Sequence, residues 1–420
     1  MNTPDDAFLQ EIQSDPEDVV PRLVYADWLE ENGDPLADLI RVQCQLADLS
    51  VDSPDRGELV QRERVLLIEH HEKIVQPLQK FSPHALSVNR GFVESIRLDA
   101  DVLIRHADEI VRLLPGLCSL TIRKSGKSMD DLVKLPQLQH VKSLSLGMAG
   151  LRDDGLQKLL SSPHWSGLVE LNLRGNDLTV VGLLETDRTF RTLILNRNGI
   201  GKSAAAQLGR ANATSKLQHL EISGNSVRVA GVKSLLAAEG LPEIQYLAAA
   251  SQGTLIGDGR VGISPKGTSS SPRFLNLSGN GITDRALPGL LRSGIFARTV
   301  DLNLRRNNLT DDSLLVLLDS EHTPQLRRLH LAGNKFSNWT LSDLAKSPKL
   351  RQVERITLDR SMMTRCESFQ EFFESPNRNP YVQLAVPTER GPNRTEIRKT
   401  MIDQIVSQLG EDVRPMLEIV

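Results

Sequence analysis

The chain has 420 residues, a formal net charge of −3 and three cysteines, Cys44, Cys118 and Cys366. That balance argues against indiscriminate nucleic-acid binding, and three scattered cysteines argue against a disulfide framework and for a reducing compartment. No apolar run approaches the ~18 residues of a membrane helix, and the acidic opening MNTPDDAFLQEIQSDPEDVV does not read as a secretory signal. A soluble cytoplasmic protein is expected.

Residues 1–80 predict a small helical module. Thr3 caps, Pro4 takes the first helical position, and Asp5-Asp6 suit the positive end of the helix dipole. Phe8, Leu9 and Ile12 then share a face, and Asp15-Pro16 ends the helix. A second helix runs from about Pro21 through Leu23, Val24, Trp28 and Leu29 to a C-cap at Asn32-Gly33. A third and a fourth are expected from about 35 to 49 and from about 55 to 80. Tyr25 and Trp28 should pack between helices while Arg22 pairs with a carboxylate; a recognition surface is the alternative. His70-His71 lacks the H-E-x-x-H spacing that places two imidazoles on one helix face for zinc, so it reads as a solvated polar face.

After a junction at 81–92, a pattern L-x-x-L-x-L-x-x-N-x-L recurs through 93–375. Its marker leucine or isoleucine falls at Ile96, Leu120, Leu144, Leu171, Leu193, Leu220, Leu247, Leu275, Leu302, Leu329 and Ile356. The intervals of 24, 24, 27, 22, 27, 27, 28, 27, 27 and 27 residues describe about eleven repeats of a solenoid. The x-L-x-L-x segment alternates as a half-buried strand does. The asparagines at Asn176, Asn198, Asn225, Asn280, Asn307 and Asn334 fall where the chain turns, and are expected to form a structural ladder that satisfies buried backbone groups. Counted from the asparagine, apolar residues return at +2, +7, +10 and +11, as in Leu309, Leu314, Leu317 and Leu318, which is one face of a helix. A small residue at +6 (Gly155, Gly231, Ser313) suits close packing of helix on strand.

Two repeats break the pattern. The 22-residue interval after Leu171 removes about one helical turn, and Ser251–Pro272, rich in glycine and serine, predicts a loop in place of a helix. Past 375 the motif stops. Phe369, Phe372 and Phe373 should close the core, and an amphipathic helix over 395–409 should form a C-terminal cap within 376–420.

The long strand–helix repeat resembles the ribonuclease-inhibitor-like class of leucine-rich repeats. The resemblance implies an α/β horseshoe with strands on the concave face and helices on the convex face, in a class whose members mostly bind proteins and occasionally regulate enzymes. The core Arg22-Leu-Val-Tyr25-Ala-Asp27-Trp28-Leu-Glu30, followed by Leu39-Ile40-Arg41-Val-Gln43-Cys44-Gln45-Leu46, closely resembles the repeat-companion domain that precedes repeat arrays in planctomycete-type and some myxobacterial proteins. Asn89-Arg90-Gly91-Phe92-Val93 is similar to the R-G-F junction of such proteins. That resemblance implies a bacterial lineage and no particular reaction.

Residues flanking the strand leucines should face the concavity and are mostly polar. Tyr246, Ala248 and Phe274 stand out as an apolar patch, and an aromatic centre with a polar rim is how protein interfaces concentrate energy. The expected partner footprint is Glu221, Tyr246, Phe274, Asn276, Asn303, Arg305 and His330. No catalytic constellation, cofactor site or metal site is expected. The reading is a non-enzymatic, monomeric protein–protein interaction scaffold with no membrane contact. A regulator of a small GTPase or other enzyme is the alternative implied by similar repeat proteins. A nucleic-acid-associated role, suggested by arginines after the strands, is disfavoured by interleaved acidic residues and by an aromatic content of 4%.

Overall fold

The computed structural model describes residues 4–50, 53–179, 181–236, 241–251, 271–359, 366–386, 406 and 417–419. It is an α/β leucine-rich-repeat solenoid preceded by an all-α module. The chain forms two compact units, residues 1–177 and 178–420.

The first unit opens with α1 (Pro4–Ser14), α2 (Val20–Glu31), α3 (Leu36–Asp48) and α4 (Arg56–Val75). Ile12, Tyr25, Leu29, Ile40 and Cys44 pack with Phe92 into one core. Trp28 stacks on Tyr25 at 5.9 Å, and the Tyr25 hydroxyl donates to Asp5 at 2.7 Å. On α4 the expectation for the histidine pair fails. His71 is exposed but His70 is buried, because neighbours on a helix sit about 100° apart and cannot share a face.

A hairpin joins this module to the repeats. β1 (Ala85–Asn89) pairs antiparallel with β2 (Phe92–Asp99) across a two-residue turn at Arg90 (φ 48°) and Gly91 (φ 83°). Positive φ at both positions matches the right-handed twist of a hairpin. The glycine has a second cause, since a Cβ there would lie 2.1 Å from Ile40 Cγ1. Its N–H donates to Gln43 Oε1 at 2.7 Å. Arg22, fully buried, meets Glu94 at 2.9 Å and donates to the Arg90 carbonyl at 3.0 Å, while Arg90 Nε donates to Glu94 at 2.7 Å. The two conspicuous strings of the N-terminal third are therefore two halves of one buried bolt between helices and hairpin.

β3 (Ser119–Arg123), β4 (Ser143–Ser145) and β5 (Glu170–Asn172) extend β2 in parallel, with Ile96, Leu120, Leu144 and Leu171 in register. The second unit repeats this arrangement through β6 (Thr192–Ile194), β7 (His219–Glu221), β8 (Tyr246–Ala248), β9 (Phe274–Asn276), β10 (Asp301–Asn303), β11 (Arg328–His330) and β12 (Arg355–Thr357). Leu193, Leu220, Leu247, Leu275, Leu302, Leu329 and Ile356 align across it, all buried. The short repeat carries a single turn of helix, Val181–Leu184, where its neighbours carry Lys202–Leu208 and Arg228–Leu236.

Parallel pairing continues past residue 375, where a cap was expected. β13 (Gln383–Val386) pairs with β12, and β14 (Leu417–Ile419) pairs with β13. Val382 and Leu384 alternate as strand residues do, but no asparagine follows them to mark the repeat. The irregular segment 252–270 lies outside the described residues, as does the expected helix over 395–409 apart from a buried Val406.

The asparagines bridge to backbone rather than to one another's side chains. Asn307 Oδ1 accepts from the N–H groups of Asn280 (2.9 Å) and Ile282 (3.0 Å) in the preceding repeat, and Nδ2 donates to the carbonyls of Leu277 (3.1 Å) and Leu304 (2.8 Å). Asn176 and Asn225 bond at the same offsets, and Asn198, Asn280 and Asn334 donate to strand carbonyls in the same manner. The reason is distance: one amide reaches the turn of the adjacent repeat, whose N–H groups point at it, and is spent there.

A second brace was missed in the sequence. Asp284 accepts from Thr310 N (2.9 Å), Thr310 Oγ1 (2.8 Å) and Ser313 Oγ, and one repeat later Asp311 accepts from Ser337 N and from Thr340 Oγ1 at 2.6 Å. Ser313 thus holds the +6 position through its hydroxyl as well as its size. At Gly231, the +6 residue of another repeat, an added Cβ would meet Val227 at 2.7 Å and the Lys202 backbone at 3.2 Å. Smallness there serves packing on the preceding turn and the neighbouring helix, not on the strand as expected.

Candidate binding surface

The alternation of the second unit's strands turns every second side chain away from the helices. Register then assembles rows across the sheet. One row runs His219, Tyr246, Phe274, Asp301, Arg328, Arg355; the next runs Glu221, Ala248, Asn276, Asn303, His330, Thr357. Six of the seven residues expected in the footprint therefore occupy adjacent strands, and Arg305 follows two residues after β10.

The face has two chemical ends. At the first, His219 and Tyr246 stack at 4.1 Å with rings 6° from parallel, and Phe274 lies 6.5 Å from Tyr246 and is 37% exposed. Burial, then Glu221 and Asp301, push the Tyr246 phenol above its usual range. Glu221 is held by His219 Nε2 at 3.1 Å and by the Asn196 amide at 2.5 Å. His219, omitted from the expected footprint, is its third ring, and Ala248 is buried and adds little to the apolar surface. The signal for His219 was available: it stands at the same repeat position as Tyr246 and Phe274.

At the other end, His330 lies between Asp301 Oδ1 (3.1 Å) and Thr357 Oγ1 (2.8 Å), and Arg328 approaches Asp301 Oδ2 at 3.9 Å. Arg305 has a buried Nε with no hydrogen-bond partner among the described residues. Burial lowers its pKa, and the charges of Arg355 and Arg306 lower it further, against Asp359 and Asp301. Between the ends, Asn276 and Asn303 turn their amide oxygens to the N–H groups of Ser278 and Arg305, each at 3.0 Å. These are local turns, in which each amide oxygen is taken by its own backbone.

In the first unit Arg123 and Lys124 both reach Asp99, at 3.5 and 2.5 Å. Neither described thiol is activated: burial pushes Cys44 up and Cys118 up to about 11. The side chain of Cys366 lies outside the described residues. Among the described residues no group of three or more His, Cys, Asp or Glu could hold a metal ion, and no helix is long and apolar enough to cross a membrane.

A leucine-rich-repeat family model matches residues 137–160 and 273–287, one stretch in each unit. No curated protein matches the chain. Among solved structures it is similar to yeast Rad7 in its complex with Elc1 (17% identity, 86% of this chain and 91% of that one, TM-score 0.46). It is also similar to a Bacteroides fragilis protein (15%, 70% and 82%, TM-score 0.38) and to an internalin of Listeria monocytogenes (17%, 60% and 75%, TM-score 0.34). At these scores the fold rests on the chain's own strand register and asparagine bridges: leucine-rich repeats stacked strand on strand.

Proposed function

We propose that this protein is a non-enzymatic interaction scaffold that binds a protein partner on the strand face of its second unit. The observation that carries the reading is the ring row His219–Tyr246–Phe274, set in a sheet face that is otherwise polar and ending in a partly exposed phenylalanine. Aromatic anchors within a polar rim supply most of the energy of protein interfaces. Glu221, Asn276, Asn303, Arg305 and His330 form that rim. The helical module, bolted to the first strands by Arg22 and Glu94, acts in this reading as the N-terminal companion of the array and covers the apolar edge that a solenoid would otherwise expose.

The test is quantitative affinity capture with the full chain and with a Tyr246→Ala, Phe274→Ala variant of unchanged thermal stability. The reading requires at least one partner to be held by the parent and lost by the variant. An identical set from both would end it.

A further inference from the structure

From the outer face of α4 we infer that two copies of this chain pair there, antiparallel, about a two-fold axis through Ile68. The helix has 20 residues and is therefore about 30 Å long. Leu66 packs with Leu39, Val42 and Leu46 of α3, and His70, one turn on, is buried too. A helix covered on one side in this way ordinarily carries a polar face on the other. Here that other face holds Ile68, 70% exposed, and Val65, 53% exposed.

Scattered apolar residues on a surface need no explanation, but the charges around these two are arranged symmetrically. Successive helical residues turn by about 100° and rise about 1.5 Å, so Arg64 and Glu72 fall about 40° to opposite sides of Ile68, about 6 Å before and after it. A two-fold axis through Ile68 then sets Arg64 of one copy against Glu72 of the other, and does so twice. Ile68 meets its own counterpart on the axis. Val65 and His71, about 60° to opposite sides, meet by the same operation. A parallel pair would instead set Arg64 against Arg64.

Both charges are available for this. Arg64 and Glu72 are exposed and enter no ion pair among the described residues, whereas Lys73 is held by Asp34 at 2.5 Å and Glu63 accepts from Gln43 at 2.8 Å. Four acidic residues on α4 balance four basic ones, so the helix lacks the basic excess that draws an amphipathic helix to an anionic membrane. The sequence predicts a monomer; this face argues for a pair. One pair of helices is a small contact, so association falls in the micromolar range and is not obligate.

Sedimentation velocity on the full chain, from about 1 to about 200 μM, tests the inference. The sedimentation coefficient should rise from the monomer toward the dimer value across that range. Ile68→Arg sets two guanidinium groups on the axis, at an exposed site, and should keep the chain monomeric throughout without lowering its melting temperature. Arg64→Glu and Glu72→Arg, each alone, oppose like charges twice and should weaken self-association about tenfold or more. Mixed one to one, they should associate as tightly as the parent, because each supplies the charge the other has lost. A chain that is monomeric at every concentration overturns the inference and leaves the face to a different protein. A dimer that Ile68→Arg does not disturb overturns it as well. Charge variants that leave the dimer unchanged, or that weaken it without being restored by mixing, overturn the antiparallel pairing and the inference with it.

Discussion

Replacing Asn307 by alanine isolates what the asparagine bridges contribute. The side chain is 5% exposed and makes four short contacts, but they are not equivalent. The carbonyls of Leu277 and Leu304 each accept a second amide, from Asn280 and Asn334, and remain satisfied when Asn307 is truncated. The N–H groups of Asn280 and Ile282 lose the oxygen they share. A buried donor left unsatisfied costs about 1–3 kcal/mol, so the pair predicts a loss of about 2–6 kcal/mol. Asn303→Ala, four residues away on the open face, loses only a local turn bond to Arg305 N that water can replace, and should cost under ~1 kcal/mol. Urea unfolding followed by circular dichroism and tryptophan fluorescence measures both; Trp339 reports on the second unit. Probes reporting separate transitions should be fitted separately, since stacked repeats can unfold in parts. Equal losses for the two variants would refute the assignment of the bridges to backbone satisfaction.

Gly91→Ala forces a Cβ into Ile40 at a positive-φ position and should lower stability by about 2–4 kcal/mol in the same unfolding assay. Arg22→Met leaves Glu94 buried with Arg90 alone and should cost about 3 kcal/mol, part of which a further Glu94→Gln change restores; no restoration would show that the arginine acts by packing. Burial opposes ionisation of Asp284, but hydrogen bonds from Ser313 and Thr310 outweigh it and hold its pKa below the usual aspartate value. The stability this confers is complete above about pH 4, the ordinary aspartate range, and is lost as pH falls through the depressed folded value. Melting temperatures measured from pH 7 to pH 3 should therefore fall less steeply for Asp284→Asn than for the parent.

Much of this architecture could be read directly from the chain. Strand and helix periods are local, so the markers from Ile96 to Ile356 all fall within strands, and Asp311 stands at a helix start as its charge suggests. Contacts made between repeats or between motifs were harder to see. Arg22 and Glu94 are distant in sequence, and nothing local states that Gly91 must sit against Ile40. The Asp284 and Asp311 braces were hidden because an aspartate near a helix start already has a local explanation. The strands after 375 were hidden because the asparagine used to find the others is absent. On the candidate surface the positions were legible and the pairings were not. His219 joins the rings, and Asn276 and Asn303 spend their oxygens on their own backbone, only once register and rotamer are known.

The central claim is that a partner docks on the strand face of the second unit. Its most direct test titrates a captured partner against Phe274→Ala and against Val316→Ser, which alters a comparably exposed apolar residue on the helix Asp311–Leu318. The account predicts that Phe274→Ala raises Kd about tenfold or more while Val316→Ser leaves it unchanged. Equal affinities for both variants and the parent, or a loss confined to Val316→Ser, would contradict it.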